Sequence, residues 1–192
     1  MEKSDEQIMQ EFQAGENEAI SLIFTRYRSR IFNFCLRFLG NRADAEDVTS
    51  DVFLKLFHKQ YSLISDAKFS TWLFTVAHHA CISRLRKKKP MAFSDAWNSD
   101  RGRSAEDHLP DGSDSSSEKM VNKERAELLH QALDVLAAEQ KEALILKEFH
   151  GFSYLEIAGI LGCSLDKVKV LIFRARERLR VELTAFIKKE EL

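Results

Sequence analysis

Glycine and proline are both scarce in this sequence. Its 192 residues include only seven Gly and two Pro, and no Asn-Gly pair of the kind that closes β-hairpins. The sequence is instead rich in Leu, Ala, Glu, Lys and Arg, which are good helix formers. We therefore predict an all-α protein.

Paired cysteines and long apolar runs are missing as well. Cys35, Cys81 and Cys163 are far apart and odd in number, and the sequence has no Cys-x-x-Cys pair, which argues against a disulfide framework or a zinc site. We expect buried, reduced thiols. No apolar run approaches the roughly 20 residues of a membrane span, and the N-terminus has no signal-peptide core. The sequence thus predicts a cytoplasmic protein without membrane insertion.

Net charge and catalytic motifs are also limited. The formal charge is −1, so any affinity for nucleic acid has to come from local basic patches. We find no glycine-rich nucleotide loop, catalytic carboxylate pair, nucleophile elbow or zinc-protease motif. The adjacent His78 and His79 would point about 100° apart on a helix, which disfavours a shared metal. We expect no enzyme activity, no cofactor and no metal.

The clearest pattern that is present covers residues 152–180. Ser153 and Glu156 form a Ser-x-x-Glu capping box at the start of one helix, ahead of the apolar residues Leu155, Ile157, Ala158 and Leu161. Gly162 can supply the left-handed residue that ends this helix. Ser164 can cap a second helix only a few residues later. So short a connection predicts a helix-turn-helix.

The second of these helices has an apolar face and a basic face. The apolar residues at helical spacing are Val168, Leu171, Ile172, Ala175 and Leu179, and the cations around them are Lys167, Lys169, Arg174, Arg176, Arg178 and Arg180. A basic helix of this kind fits the major groove of duplex DNA. The alternative is an ordinary helical hairpin with a solvated basic face.

Three apolar periodicities occupy the N-terminal part of the chain, over residues 5–15, 20–40 and 44–59. The third begins with acidic residues, which favour a helix N-terminus. Its outward side carries Asp47, Asp51 and Leu54. That side is either an ordinary solvated surface or a docking face for a basic partner.

A fourth periodicity covers residues 69–89. Its predicted core side consists of Leu73, Val76, Ala77 and Ala80, and a different face carries Trp72, Thr75, His79, Ser83 and Arg86. An aromatic ring followed by polar and cationic groups suits stacking on unpaired bases while phosphates are held. The alternative is a core aromatic followed by a solvated basic end.

Residues 90–118 are rich in Ser and Asp, contain both prolines and have no apolar periodicity. Their only candidate anchors are Phe93, Trp97 and Leu109. We predict two small helical domains, residues 1–89 and 122–192, joined by a flexible acidic linker over residues 90–121. The second domain contains two supporting helices and the helix-turn-helix.

Three stretches in order resemble a bacterial RNA polymerase sigma factor of the extracytoplasmic-function (ECF) group. DAEDVTSDVF, from Asp44, resembles region two-point-two of that family, and FSTWLFTVAHHACISRLRKK, from Phe69, resembles regions two-point-three and two-point-four. Residues 136–180 resemble region four. Together the three matches extend across nearly the whole chain.

This resemblance implies a sigma subunit that binds core RNA polymerase, directs it to specific promoters and assists DNA melting, with an anti-sigma factor as a further partner. The implied polymerase-binding residues are Asp44, Glu46, Asp47, Ser50, Asp51 and Leu54. Those implied at the minus-ten element are Phe69, Trp72, Thr75, His79, Ser83, Arg84, Arg86 and Lys87. Those implied at the minus-thirty-five element are Lys167, Lys169, Val170, Phe173, Arg174 and Arg176.

Two other functions remain open from the sequence. A stand-alone helix-turn-helix regulator of duplex DNA would need only the C-terminal domain and leaves the Trp72 face unexplained. A sigma-like decoy would bind polymerase without reading DNA.

The chain also departs from the common family pattern. His79 stands where Asn is usual, Ser83 where Asp is usual and Ser50 where Gln is usual. Val170 and Phe173 lie opposite the core stripe of their helix, where they would meet thymine methyl groups or a regulatory protein.

Overall fold

The computed structural model describes residues 3–58, 68–88 and 128–190. Every regular element in these ranges is an α-helix, which confirms the predicted all-α fold. The helices are α1 (Asp5–Gln13), α2 (Ala19–Leu39), α3 (Arg42–Phe57), α4 (Phe69–Lys88), α5 (128–134), α6 (Ala138–Glu148), α7 (Tyr154–Leu161) and α8 (Leu165–Glu190). The predicted linker and its anchors Phe93, Trp97 and Leu109 lie outside the described residues.

Local side chains set the helix boundaries. Ser153 and Glu156 form the predicted capping box of α7, and Gly162 ends that helix at a left-handed φ of 61°, where an L side chain would be strained. The Asn41 side chain accepts a hydrogen bond from the Asp44 amide at 3.0 Å. As a result α3 begins at Arg42, two residues before the predicted start.

We call α1–α4 the N-terminal module. Helix α2 lies at its centre, and α1, α3 and α4 pack against it. Most of the predicted apolar stripe of α2 is buried: Ile20, Ile23, Tyr27, Ile31, Phe34, Cys35, Phe38 and Leu39. Phe24, which lies within the predicted periodicity over residues 20–40, is partly exposed, but its ring meets Phe53 edge to face with 4.9 Å between centroids.

We call α5–α8 the C-terminal module. Its core is formed by the predicted apolar face of α8 together with α6 and α7. Leu155 differs from the expectation, because its side chain is 72% exposed. Ile157, Ala158 and Ile160 bury the other side of α7 instead.

The two modules pack directly against each other, α4 on α7 and α2 on α6. Phe74 is fully buried at the centre of this module interface, with its ring centroid 4.8 Å from that of His150 and 4.9 Å from that of Phe152. Polar contacts surround it, including His78 Nδ1 to Glu142 Oε1 at 2.6 Å and Lys68 Nζ to Glu156 Oε1 at 3.0 Å. The sequence did not predict this interface.

Two further observations bear on the sequence analysis. Cys35 and Cys81 are buried free thiols, as expected, and their sulfur atoms are 3.6 Å apart, whereas Cys163 is only partly buried. Within the described ranges, no helix has both the length and the apolar character needed to cross a bilayer.

Candidate nucleic-acid and polymerase surfaces

One face of α4 carries most of the side chains predicted to bind the minus-ten element. Trp72 and Thr75 are half-buried, and His79, Ser83 and Arg86 further along are exposed. Lys87 is exposed next to them. The face therefore begins with a partly open indole ring and ends with cations, which is the arrangement that stacking plus phosphate contact requires.

Phe69 is placed differently from its neighbours on this list. Its side chain is fully buried, and its ring packs against Tyr27 and Trp72, with centroid distances of 5.5 Å and 6.0 Å. In this arrangement Phe69 presents no surface to a nucleic acid. It supports the indole of Trp72 from beneath.

The pKa of the His79 imidazole lies below its usual value of 6.5, because partial desolvation, followed by the nearby His78 and Lys55, disfavours the charged form. A neutral imidazole both donates and accepts a hydrogen bond. His79 is thus suited to polar contact with a base.

Arg84 joins two sites that the sequence analysis treated separately. Its Nε donates to Asp44 Oδ1 at 2.8 Å, and its Nη2 lies 2.8 Å from Asp47 Oδ2. These contacts, led by the hydrogen bond to Asp44, raise the pKa of the guanidinium. A side chain predicted to bind DNA is thereby bonded to two carboxylates predicted to bind polymerase.

The remaining predicted polymerase-binding residues form an exposed strip on α3. Asp47, Ser50, Asp51 and Leu54 recur at helical spacing and are exposed, and Glu46 lies beside them. Asp44 is buried at the helix N-terminus behind this strip. The strip combines negative charge with one large apolar side chain, which suits a partner surface that is basic at its rim.

The exposed face of α8 carries four of the residues predicted at the minus-thirty-five element, namely Lys169, Val170, Phe173 and Arg174. Phe173 is 65% exposed, unusually so for a phenylalanine. The other two predicted residues form exposed ion pairs with α6. Lys167 lies 3.0 Å from Glu139, and Arg176 lies 2.6 Å from Glu148.

The helix-turn-helix geometry supports this arrangement. The α7 C-cap Gly162 and the Ser164 side chain, which accepts from the Lys167 amide at 3.2 Å, turn the chain within three residues. Val168, Ile172 and Ala175 of α8 are buried. The first three turns of α8 therefore present Lys169, Val170, Phe173 and Arg174 to solvent, while the opposite side of the helix is held in the core.

Comparison with known proteins identifies both modules. The family described as Sigma-70 region 2 matches residues 23–90, and Sigma-70, region 4 matches residues 126–179. RNA polymerase sigma factor YlaC of Bacillus subtilis is 30% identical over 176 residues, covering 91% of this chain and 98% of that protein. ECF RNA polymerase sigma factor SigW of the same organism is 29% identical over 184 residues, covering 95% and 98%. The chain belongs to the ECF group of sigma factors.

A solved structure agrees with this assignment. The sigma factor RpoE of Bartonella quintana, crystallised in complex with the anti-sigma factor NepR, aligns with a TM-score of 0.66 and 26% identity, over 86% of this chain and 96% of that one. Region 2 of the sigma factor thus contains the α3 strip and the α4 face, and region 4 contains the α8 face.

Sequence reasoning missed the residues of the module interface, namely Phe74, His78, Glu142, His150 and Phe152. One signal was available. Phe74 and Cys81 lie on a side of α4 away from the Trp72 face, so the helix carries large apolar residues on more than one side, which is typical of a helix covered from two directions.

Proposed function

We propose that this sigma factor binds core RNA polymerase, directs it to specific promoters and helps to open the DNA there, while the polymerase makes all the bonds. The single observation that carries the proposal is the α4 face that starts at Trp72, present in the same chain as a helix-turn-helix. Duplex binding alone would use only α7 and α8. An aromatic, polar and cationic face adds what an unpaired strand needs.

In this proposal the α4 face holds the melted minus-ten strand. The Trp72 ring, supported by Phe69, stacks on an unpaired base, and neutral His79 contacts a base edge. Arg86 and Lys87 neutralise phosphates. A base that stacks on the sigma factor and is hydrogen-bonded by it cannot pair in the duplex at the same time. The free energy of this binding therefore shifts the equilibrium towards the melted DNA.

The C-terminal module then reads the minus-thirty-five element as duplex. Lys169 and Arg174 contact phosphates, while Val170 and Phe173 approach thymine methyl groups in the major groove. In the free protein Lys167 and Arg176 form exposed ion pairs with Glu139 and Glu148 of α6, which are weak. The buried apolar face of α8 holds the helix in position.

The α3 strip of Asp47, Ser50, Asp51 and Leu54, flanked by Glu46, docks on a basic surface of the polymerase. The proposal keeps the division into residues 1–89, 90–121 and 122–192, with the middle segment as a linker. Because the related RpoE is bound by an anti-sigma factor, we include an anti-sigma factor among the partners. Sigma factors are non-enzymatic initiation factors, and we infer the same of this chain, acting in the cytoplasm with the polymerase.

The test is permanganate footprinting of unpaired thymines on genomic promoter DNA, with core polymerase and this sigma factor. We expect melting that depends on both proteins and that is strongly reduced by Trp72→Leu. The matched control is Trp97→Leu, which removes the same ring from the predicted linker and should leave the footprint intact.

Two other results would contradict the proposal. Protection of duplex DNA without polymerase and without melting would indicate a stand-alone regulator. Polymerase binding without any promoter footprint would indicate a decoy.

A further inference from the structure

Arg84 connects the α3 strip to the α4 helix, and its two carboxylate partners differ in kind. The side chain of Asp44 is 6% exposed, whereas that of Asp47 is 61% exposed. The Arg84 side chain itself is 35% exposed. One end of this Arg84 bridge is therefore inside the protein and the other is in solvent.

The two ion pairs of Arg84 differ in how easily another charged group can replace the carboxylate. An ion pair in solvent is weak, because water and salt screen it and both side chains lose rotamer freedom. A buried carboxylate that loses a bonded cation gives up charge compensation in a poorly solvated position, which is costly. Competing charges will displace Asp47 from Arg84 well before they displace Asp44.

The competing charges are supplied by the two partners of the proposed function, on which this inference rests. Asp47 belongs to the α3 strip, which faces the polymerase. Arg84 lies one turn before Lys87 on the same side of α4, and Lys87 is one of the residues proposed to contact phosphates of the melted strand. A cationic side chain of the polymerase can pair with Asp47, and a DNA phosphate can pair with the guanidinium of Arg84.

We propose that Arg84 is a positioning residue that couples polymerase docking to binding of the melted strand. A polymerase cation bound to Asp47 frees the outer N–H groups of Arg84 for a phosphate, while Asp44 keeps the guanidinium in place. By reciprocity, a phosphate that draws on Arg84 frees Asp47 for the polymerase. Each partner thus strengthens the binding of the other.

The bridge can be tested first without polymerase, using the full chain and a labelled single strand of thymidines. Asp47→Asn removes the outer carboxylate and should strengthen binding of this DNA about two- to fivefold, the range set by an exposed ion pair. Asp51→Asn is the matched control, because it removes the same charge one turn further along the same exposed strip. Its gain should be clearly smaller.

A double-mutant cycle then isolates the pair. In the Arg84→Gln background, Asp47→Asn and Asp51→Asn should have equal effects on DNA affinity. Equal effects already in the wild-type background, or an Asp47→Asn advantage that survives Arg84→Gln, would overturn the proposal. Circular dichroism of each variant checks that the helices are intact.

A second measurement separates this inference from the proposed function. With core polymerase present, the DNA strand should raise the affinity of wild-type sigma factor for polymerase more than that of Arg84→Gln. An equal increase in polymerase affinity for wild type and Arg84→Gln would contradict the proposed coupling but would not contradict the sigma function. Absence of polymerase-dependent melting in the wild type would instead reject the sigma function, whatever the result of the cycle.

Discussion

His150 is a single residue with a measurable effect on the stability of the whole molecule. Its ring lies between Phe34 and Phe74 at the module interface, with centroids 5.9 Å and 4.8 Å away. Burial, together with the charges of Arg30 and Arg37, lowers the pKa of His150 to about 3. The packed state therefore holds this imidazole neutral throughout the physiological range.

This depressed pKa predicts a loss of stability on mild acidification. The unfolded chain takes up a proton on His150 near pH 6.5, but the folded chain does not, so stability is full above pH 6.5 and falls as the pH drops from there towards 3. Between pH 7 and 5 this one group should cost on the order of 2 kcal/mol. Denaturant unfolding at both pH values should show a smaller loss in His150→Gln than in the wild type.

The exposed His58, which follows α3, provides the control for this measurement. His58→Gln should lose as much stability between pH 7 and 5 as the wild type does. If His150→Gln also behaves like the wild type, the imidazole does not carry the acid sensitivity.

At the scale of one element, the exposed face of α8 indicates how the sigma factor would recognise thymine. Val170 and Phe173 are exposed on the face that also carries Lys169 and Arg174. If these apolar side chains meet thymine methyl groups, replacing the contacted thymines by uracil removes about 0.8 kcal/mol for each buried methyl. Wild-type holoenzyme should therefore bind a uracil-substituted minus-thirty-five element about fourfold more weakly per contacted methyl, in a competition assay.

The Phe173→Ala variant should no longer distinguish thymine from uracil at the contacted position. Val181→Ala is the control, because Val181 is also an exposed apolar residue of α8 but lies two turns further on. Equal discrimination by wild type and Phe173→Ala would show that the ring does not approach the methyl group, and would favour a protein partner for this surface.

Elements were predictable where the chain itself specifies them. Ser153, Glu156 and Gly162 fix both ends of α7 through bonds within a few residues, so the sequence predicted that helix well. Leu155 was misjudged because local pattern does not determine which of several apolar positions a neighbouring helix covers, and the family resemblance that placed Phe69 at the minus-ten element carries no information on its burial. Leu155 is exposed and Phe69 is fully buried, and only tertiary packing decides between the two.

The sites show the same division. The exposed strip of α3 and the exposed faces of α4 and α8 follow from helical spacing alone. The bond from Arg84 to Asp44 links residues 40 positions apart in the chain, and no periodicity signals a pairing at that distance. The module interface was missed for the same reason.

At the scale of the whole molecule, the module interface limits what this arrangement can bind. The minus-ten and minus-thirty-five elements are about 25 base pairs apart, which is about 85 Å of duplex at about 3.4 Å per pair. A globular chain of this length has a radius of gyration of about 16 Å. Since α4 and α7 are in contact, the proposed binding of one element by α4 and of the other by α8 requires the two modules to separate.

Lys68 and Glu156 allow that separation to be tested. Their side chains approach to 3.0 Å across the interface, close enough for a carbodiimide to join them by an amide bond. We expect the cross-linked sigma factor to bind core polymerase but to form no open complex at a promoter. Lys68→Arg is the control, because a guanidinium is not coupled by this reagent. It should retain more activity than the wild type after the same treatment, since the other pairs, such as Lys167 with Glu139 at 3.0 Å, react equally in both proteins. Full activity of the cross-linked protein would contradict the need for separation.

The three cysteines of this chain differ in exposure, so thiol labelling of the native sequence can report on its conformation. All three lie within the described residues, and burial raises the pKa of the Cys81 thiol well above its usual value, beside the equally buried Cys35. Cys163 is partly exposed at the turn between α7 and α8, directly before the α8 N-cap Ser164. A maleimide dye added to the native fold will therefore label the turn of the helix-turn-helix first. The same dye will react with Cys35 on α2 and Cys81 on α4 only when the N-terminal core unfolds. The unmodified sequence therefore allows DNA binding to be followed by the fluorescence of a label at Cys163, and unfolding to be followed by the rate at which the two buried thiols are labelled.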